Sequence, residues 1–473
     1  MKSYKYEIFT SVIEGLITDG IYQRGDKLPS VREIGQKYGI SMSTVQQGYE
    51  YLVIKGIVKS ISKSGYYVNE KQDTSTAPPS LPPVRDAVFK HNLHLTTSLR
   101  NTGKRLTEFN VAAPGDLFIP QKLLLRTMQQ VIREQGAGLL RYYPPNGSAK
   151  LRNSIAKRAG RYHTTFNPDE LLITDGALQA LYIALSSVCQ PGDIIAVENP
   201  CIFSALEVIR VLRLKVIEIP LIQGKEPDFT SLWNTFAKVN VRAILVTPNF
   251  QNPTGLLFSD EQKKRLLSIA LHYGIPLIEN DIYGDLNFSK LRPSTIKSFD
   301  ESGLVMTYSS YSKTLAPGIR MGWLSAGKFF EKAEQVKFAL GSSVSPIYQE
   351  TISKLLDSES YDRHIRSFKL QLAKNARHTV ELLSRYFPEG TQVLMPEGGI
   401  NLWVKMPVYT DMNRFYNESE KTGIRFTPGS TFSFSTAYNQ FFRLVFADKL
   451  SASKEDSLKQ AGKIAQHSVL HFP

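Results

Sequence analysis

Cysteine is scarce: Cys189 and Cys201 are the two present in 473 residues. Two thiols at that spacing make neither a disulfide framework nor a metal-ligand set, so a reducing cytoplasm is the expected setting and no metal is expected. Long apolar runs are also missing. No stretch approaches the ~20 apolar residues that a membrane helix needs, and residues 1–20 mix charged with apolar positions without a small-residue cleavage pattern. Neither membrane insertion nor export is expected. Acidic residues are outnumbered, 43 Asp and Glu against 57 Lys and Arg, which leaves a formal net charge of +14. Such an excess favours an anionic partner such as a phosphate polymer, although a generally basic soluble protein would carry it too.

Hydrophobic residues make up 42% of the chain and aromatics 11%, enough to fill a sizeable core. At ~150 residues per domain the length suggests about three units, a rule that large α/β enzymes break. Ile8, Phe9, Val12, Ile13, Leu16 and Ile17 recur at helical spacing, which predicts an amphipathic helix over 4–19 that stops at Gly20. Ser30 and Glu33 have the spacing of a capping box and open a second helix, which ends at Gly39. A third begins at Ile40 and Ser41 and runs through Val45, Tyr49 and Leu52 to Gly56. Residues 57–61 and 66–69 then read as two short strands about Lys63, Ser64 and Gly65. Three helices and a hairpin predict a winged helix-turn-helix over 1–69.

Residues 70–105 change character, with Thr, Ser and Pro clustered in 73–83 and no periodic apolar face, and read as a linker. From about Leu106 to Pro473 apolar runs such as 171–173, 194–197, 243–246 and 277–278 alternate with helical stretches such as 260–272. That rhythm predicts a largely parallel sheet covered by helices, so the expected fold class is α/β and multidomain.

In a helix-turn-helix the second helix presents its first residues to base edges while the preceding helix braces phosphates. Here the reading face would be Ser41, Met42, Ser43, Thr44 and Gln46. Arg32 and Lys63 are placed to meet phosphate, and Gly65 allows a tight wing turn. The blocks Gly-Asp-Lys-Leu-Pro-Ser-Val-Arg-Glu-Ile (25–34), Ile-Ser-Met-Ser-Thr-Val (40–45) and Gly-Tyr-Tyr-Val (65–68) together resemble the GntR family of bacterial winged-helix regulators. The resemblance implies binding to double-stranded operator DNA, hence residence in a bacterial cytoplasm with nucleoid association when bound. Many members have Arg where Met42 stands, so the family's base contact is not carried over at that position.

A second set of residues points to pyridoxal phosphate, which needs an amine, an acid at the pyridine nitrogen, phosphate donors and groups that orient the ring. Lys313 offers the amine, and Ser310 and Arg320 offer a hydroxyl and a guanidinium for the phosphate. Asp281 follows an apolar strand and is the expected acid; Tyr283 and Asn252 can donate to the phenolic oxygen. Gly176 and Ala177 open a helix whose amides can cradle phosphate, and Arg443 is a candidate clamp for a ligand carboxylate. Taken singly these are ordinary features: a solvated lysine, a helix cap, a turn. Their order is more specific. Residues 173–177, 248–255, 280–283, 310–313, 317–323 and 442–447 resemble, in sequence, the motifs of fold type I aminotransferases.

Joined to the front end, the whole resembles a MocR-type regulator, the GntR subfamily with an aminotransferase-like effector domain. That implies a pyridoxal-phosphate-dependent domain over 106–473 with a mainly parallel sheet and a small C-terminal α/β subdomain. It further implies a homodimer, with Tyr142 or Tyr143, the latter counted among the cofactor residues, reaching the partner's phosphate. The family's ring-stacking aromatic is replaced by Ile202, leaving either Ile202 or Phe203 against the ring. Three functions follow as rivals. In the first, an amino compound is sensed by exchange of the imine at Lys313. In the second, pyridoxal phosphate supply itself is sensed; in the third, the module is a working aminotransferase tethered to a DNA-binding domain.

Overall fold

The computed structural model describes residues 5–18, 21–23, 25–54, 57–61, 64–69, 82–86, 107–221, 227–341, 343–435 and 437–469. Lys63 and most of the expected linker lie outside them.

The front unit is built from α1 (Lys5–Thr18), α2 (Val31–Tyr38) and α3 (Met42–Ile54), followed by the antiparallel hairpin β1 (Val58–Ile61) and β2 (Gly65–Val68). The capping box is formed: the Glu33 amide donates to Ser30 Oγ at 3.2 Å and the Ser30 amide to Glu33 Oε2 at 2.7 Å. Gly39 ends α2 in the left-handed conformation, φ 58°, which glycine adopts without the clash a Cβ would make. Phe9, Ile13, Leu28, Ile34, Val45, Tyr49, Leu52, Val58 and Val68 form its core. Tyr49 is the centre of that packing, stacked on Tyr66 at 4.1 Å and donating its hydroxyl to the Pro29 carbonyl at 2.6 Å.

The linker expectation needs one correction. Within 82–86, Arg85–Asp86 forms a short strand, β3, which joins the large sheet antiparallel to residues 215–216. Pro82 and Pro83 just before it favour extended backbone, which leaves the chain ready to add to a sheet edge.

The large sheet continues with β4 (Leu171–Thr174), β5 (Ile194–Asn199), β6 (Lys215–Pro220), β7 (Val241–Val246), β8 (Leu277–Asn280), β9 (Val305–Ser310) and β10 (Gly322–Ser325), in the order β3-β6-β5-β7-β8-β9-β10-β4. Neighbours from β6 to β9 pair parallel, whereas β10 runs against both β9 and β4. Apolar side chains fill both faces of the sheet, as expected of strands buried on two sides. α4 (Gly176–Val188) leaves the end of β4, and α5 (Phe203–Val211) follows β5.

After the long helix α6 (Glu359–Tyr386), a second sheet is made of β11 (Gln392–Val393), β12 (Asn401–Lys405), β13 (Thr427–Pro428) and β14 (Phe441–Val445), ordered β11-β12-β14-β13 and backed by α7 (Ala452–His467). This is the small C-terminal α/β lobe expected from the sequence. The front unit touches it: a Cβ added at Gly15 of α1 would lie 2.7 Å from Val408 Cγ1. Among the described residues no helix is long and apolar enough to cross a membrane, and no cluster of His, Cys, Asp and Glu is arranged to hold a metal ion.

Candidate cofactor cleft and DNA-binding face

Strand ends β5, β8 and β9, the start of α4 and the inner strand β14 of the small lobe converge on one cleft of ≈ 290 Å³. This is where an α/β sheet presents ligand-binding groups. Lys313, Asn252, Tyr283, Arg320, Arg443, Ala177 and Ile202 all line it, so seven of the residues singled out from sequence are brought together.

Lys313 reaches the Ala112 carbonyl with its Nζ at 2.5 Å. Burial, helped by the guanidinium groups of Arg443 and Arg320, lowers its pKa to about 8. An amine so placed is much closer to its neutral, nucleophilic form at pH 7 than an ordinary lysine.

Arg443 is 1% exposed. It donates to Asn252 Oδ1 and Thr427 Oγ1, each at 3.0 Å, and to the Asn110 carbonyl, while its Nε has no partner. Burial pulls its pKa down to about 10. No carboxylate balances it among the cleft-lining residues. A buried guanidinium held by neutral acceptors favours an anion beside it. Asn252 turns its Nδ2 to the Tyr283 hydroxyl at 3.0 Å, which joins the guanidinium and the phenol in one chain of bonds.

At the other end, Arg320 is exposed, pairing with Asp175 Oδ1 at 3.3 Å and donating to the Asp175 carbonyl at 3.2 Å. Gly176 lies beneath it with φ +72°, and a Cβ there would come 2.9 Å from Arg320 Nη2. The glycine therefore lets the guanidinium lie directly against the start of α4, next to helix N-terminal amides that favour an anion.

Two expectations change, those for Asp281 and Ser310. Asp281 does not face this cleft. Successive residues at a strand end point to opposite sides of a sheet, and it is Asn280 that lines the cleft. Asp281 is turned into a separate polar cluster, accepting from Asn249 Nδ2 at 2.9 Å and paired with Arg292, which also bonds Asp285 at 2.6 Å and covers the Tyr162 ring at 3.6 Å. Ser310 is likewise outside the lining set: its hydroxyl donates to the Met321 carbonyl at 2.9 Å, and Ser312 faces the cleft instead. Ile202 and Phe203 both line the cleft, so both stacking alternatives remain near the ring site. Tyr143 lies away from it, with its hydroxyl 3.3 Å from Gln135 Oε1, and Tyr142 is 95% exposed.

The sequence reading missed Asn280, Ser312, Tyr308 and the loop 110–113 that walls the cleft opposite Lys313. Its place as the last residue of β8, at the strand end that opens on the cleft, was the usable signal for Asn280. The loop had none, because its role depends on contacts across ~200 residues of sequence, such as Lys313 with Ala112.

On the DNA-binding unit, Val45 and Tyr49 face the core while Ser41, Met42, Ser43 and Gln46 are exposed and Thr44 is half-buried. Ser41 Oγ caps the start of α3, lying 2.7 Å from Thr44 Oγ1 and accepting from the Thr44 amide at 3.2 Å. Met42 is 57% exposed at that end. Arg32 is exposed at the start of α2, and Gly65 takes φ +112° at the wing.

Comparison with known proteins gives the same two parts. The profile described as bacterial regulatory proteins, gntR family, matches residues 9–68, and that of aminotransferase class I and II matches residues 115–455. The HTH-type transcriptional regulator YdcR of Escherichia coli (strain K12) is 32% identical over 98% of this chain and 100% of its own length. The chain belongs to the MocR-type regulators of the GntR family. A second relative, the HTH-type transcriptional regulator YjiR of the same strain, is 31% identical over 98% of this chain and 99% of its own. Among solved structures, the alpha-aminoadipate aminotransferase LysN of Thermus thermophilus is similar with a TM-score of 0.72, at 24% identity, covering 78% of this chain and 95% of that one. That similarity shows the fold of the larger unit; the aminotransferase class I and II family matched there is pyridoxal-phosphate-dependent.

Proposed function

We propose that this chain is a cytoplasmic transcription regulator that binds double-stranded DNA through residues 1–69, binds pyridoxal phosphate in the 106–473 unit, and changes its DNA binding when a small amino compound displaces Lys313 from the cofactor. Residues 70–105 serve as the connection. The observation that carries the proposal is the gathering of Lys313, Asn252, Tyr283, Arg320 and Arg443 in one cleft of a chain that also bears a winged helix.

The cleft suits the cofactor on its own chemistry. Lys313 would hold the aldehyde carbon, Asn252 and Tyr283 the phenolic oxygen, and Arg320, Ser312 and the Gly176–Ala177 amides the phosphate. Bound there, pyridoxal phosphate supplies an aldehyde that a primary amine can occupy. Arg443, with its free Nε, would take the carboxylate of an incoming amino acid, and Ile202 or Phe203 would cover the ring. Ser310 supports Ser312 through a 3.0 Å bond between their hydroxyls. On the DNA, Arg32 and Lys63 would meet phosphates, Gly65 would shape the wing, and Ser41, Met42, Ser43, Thr44 and Gln46 would lie at base edges. A homodimer is part of the proposal, with the segment of exposed Tyr142 and half-buried Tyr143 directed to the partner.

For a ligand to regulate, it must bind two arrangements of the protein unequally. The contact of α1 at Gly15 with Val408 of the small lobe is a place where the two units meet and where such arrangements can differ. The test is reduction with borohydride after addition of pyridoxal phosphate, followed by peptide mapping. A phosphopyridoxyl group on Lys313 is expected; a protein that takes up no cofactor, or takes it up on other lysines, contradicts the proposal.

A further inference from the structure

The cleft holds three cationic side chains, Lys313, Arg320 and Arg443, and no Asp or Glu among its lining residues. Asp175 at the rim meets Arg320 but does not line the cleft. The lining therefore offers no carboxylate to a ring nitrogen.

Where the ring nitrogen of pyridoxal phosphate would lie follows from the cofactor's own shape. On the ring, the nitrogen is opposite the carbon that bears the aldehyde, and the phenolic oxygen and phosphate arm flank that carbon. With Lys313 at the aldehyde, Asn252 and Tyr283 at the phenol and Arg320 at the phosphate, the buried polar side chain left at the end of β8 is Asn280, 8% exposed. Its orientation is fixed by the protein: Oδ1 accepts from the Ile282 amide at 3.2 Å. An N–H can only be met by the oxygen of the amide, so Nδ2 is the atom turned to the cleft. None of the described residues accepts from it.

We infer that Asn280 donates its Nδ2–H to the ring nitrogen of pyridoxal phosphate and keeps that nitrogen unprotonated. This deepens the cofactor reading above and rests on it. The usual partner of a pyridinium nitrogen is a carboxylate, whose charge stabilises the ring's proton and makes the ring a sink for electrons. An amide Nδ2 can do neither: it brings a proton of its own to the bond and has no lone pair to accept one. The nearest carboxylate in sequence, Asp281, is committed on the opposite side to Arg292 and Asn249. The site is thus arranged to exchange amines at Lys313 while giving little help to removal of the substrate's α-proton. Asn280 is a specificity-determining residue for binding over turnover.

Pyridoxal phosphate labelled with ¹⁵N in the ring tests this on the full-length chain. In the parent protein the ring-nitrogen chemical shift should be that of a neutral, hydrogen-bonded pyridine and should stay there from pH 6 to pH 9. In Asn280→Asp, which keeps the Oδ1 acceptor for Ile282, it should move into the pyridinium range. With L-alanine, single-turnover conversion of bound pyridoxal phosphate and alanine to pyridoxamine phosphate and pyruvate should rise in Asn280→Asp on the order of 10²-fold, the size expected when a missing electrostatic partner is restored. A pyridinium shift in the parent, or equal conversion by the two proteins, overturns the role of Asn280 while leaving cofactor binding intact. Failure of borohydride to fix the cofactor on Lys313 in the same samples overturns the cofactor reading itself, and this inference with it.

Discussion

Lys313 lies between two guanidinium groups, and that neighbourhood sets a measurable pH dependence. A lysine is reactive as the neutral amine. With its pKa lowered to about 8 by burial and by Arg443 and Arg320, the reactive fraction should climb through pH 8 and level off above it, whereas an ordinary lysine would still be climbing near ~10.4. The rate of appearance of the imine absorbance on adding pyridoxal phosphate should follow the first curve; a rate still rising tenfold per pH unit at pH 9.5 would contradict it. Arg443→Ala should leave cofactor uptake in place but weaken binding of carboxylated amines by roughly 10- to 100-fold, the loss of a charge-assisted pair, with little effect on amines lacking a carboxylate. Arg292→Ala should instead act on stability. It leaves Asp281 and Asp285 without their shared cation, a change that typically costs about 3–5 kcal/mol and would be read as a lower denaturation midpoint of the cofactor domain. At this scale the sequence was informative about chemistry and weak about register. The amine, phenol and guanidinium groups were readable because their residue types are tied to their tasks. Asp281 was misplaced because its chemistry suited the task while its position, one residue past Asn280, put it on the wrong side of the sheet.

Among elements, α2 and α3 carry the DNA-binding reading, and both were legible from local signals. Ser30, Glu33 and Gly39 mark α2, and the alternation of Val45 and Tyr49 with exposed polar residues marks α3. Ser30→Ala should lower the stability of the front unit by about 1 kcal/mol, the usual worth of such a cap, seen as a shifted melting transition of that unit. Arg32→Ala should weaken binding to all DNA sequences and reduce the slope of log K against log salt by about 1, as for one lost phosphate contact. Gln46→Ala should alter sequence preference and leave that slope unchanged; the reverse pattern for the two variants would show that the face has been assigned the wrong way round. The two-residue strand β3 was not legible. Its pairing with β6 depends on an open sheet edge, which no local pattern in a Pro-rich stretch announces.

For the whole molecule, the rhythm of apolar runs was enough to read a mainly parallel sheet, since each parallel strand is buried on both faces. The reversed strand β10 and the four-stranded sheet of the small lobe follow from long-range pairing and had to come from the structure. In the function proposed, the two halves are joined by a free-energy coupling between the cleft and the winged helix. The decisive measurement is DNA affinity at fixed salt, using a fragment that the protein itself selects from a random pool. It compares the parent with Lys313→Ala, each without cofactor, with pyridoxal phosphate, and with pyridoxal phosphate plus a panel of primary amines. The account predicts that at least one amine shifts the affinity of the cofactor-loaded parent by fivefold or more, within the usual range of coupling energies, and that Lys313→Ala shows no such shift. Affinities that stay the same for both proteins under every condition would contradict it.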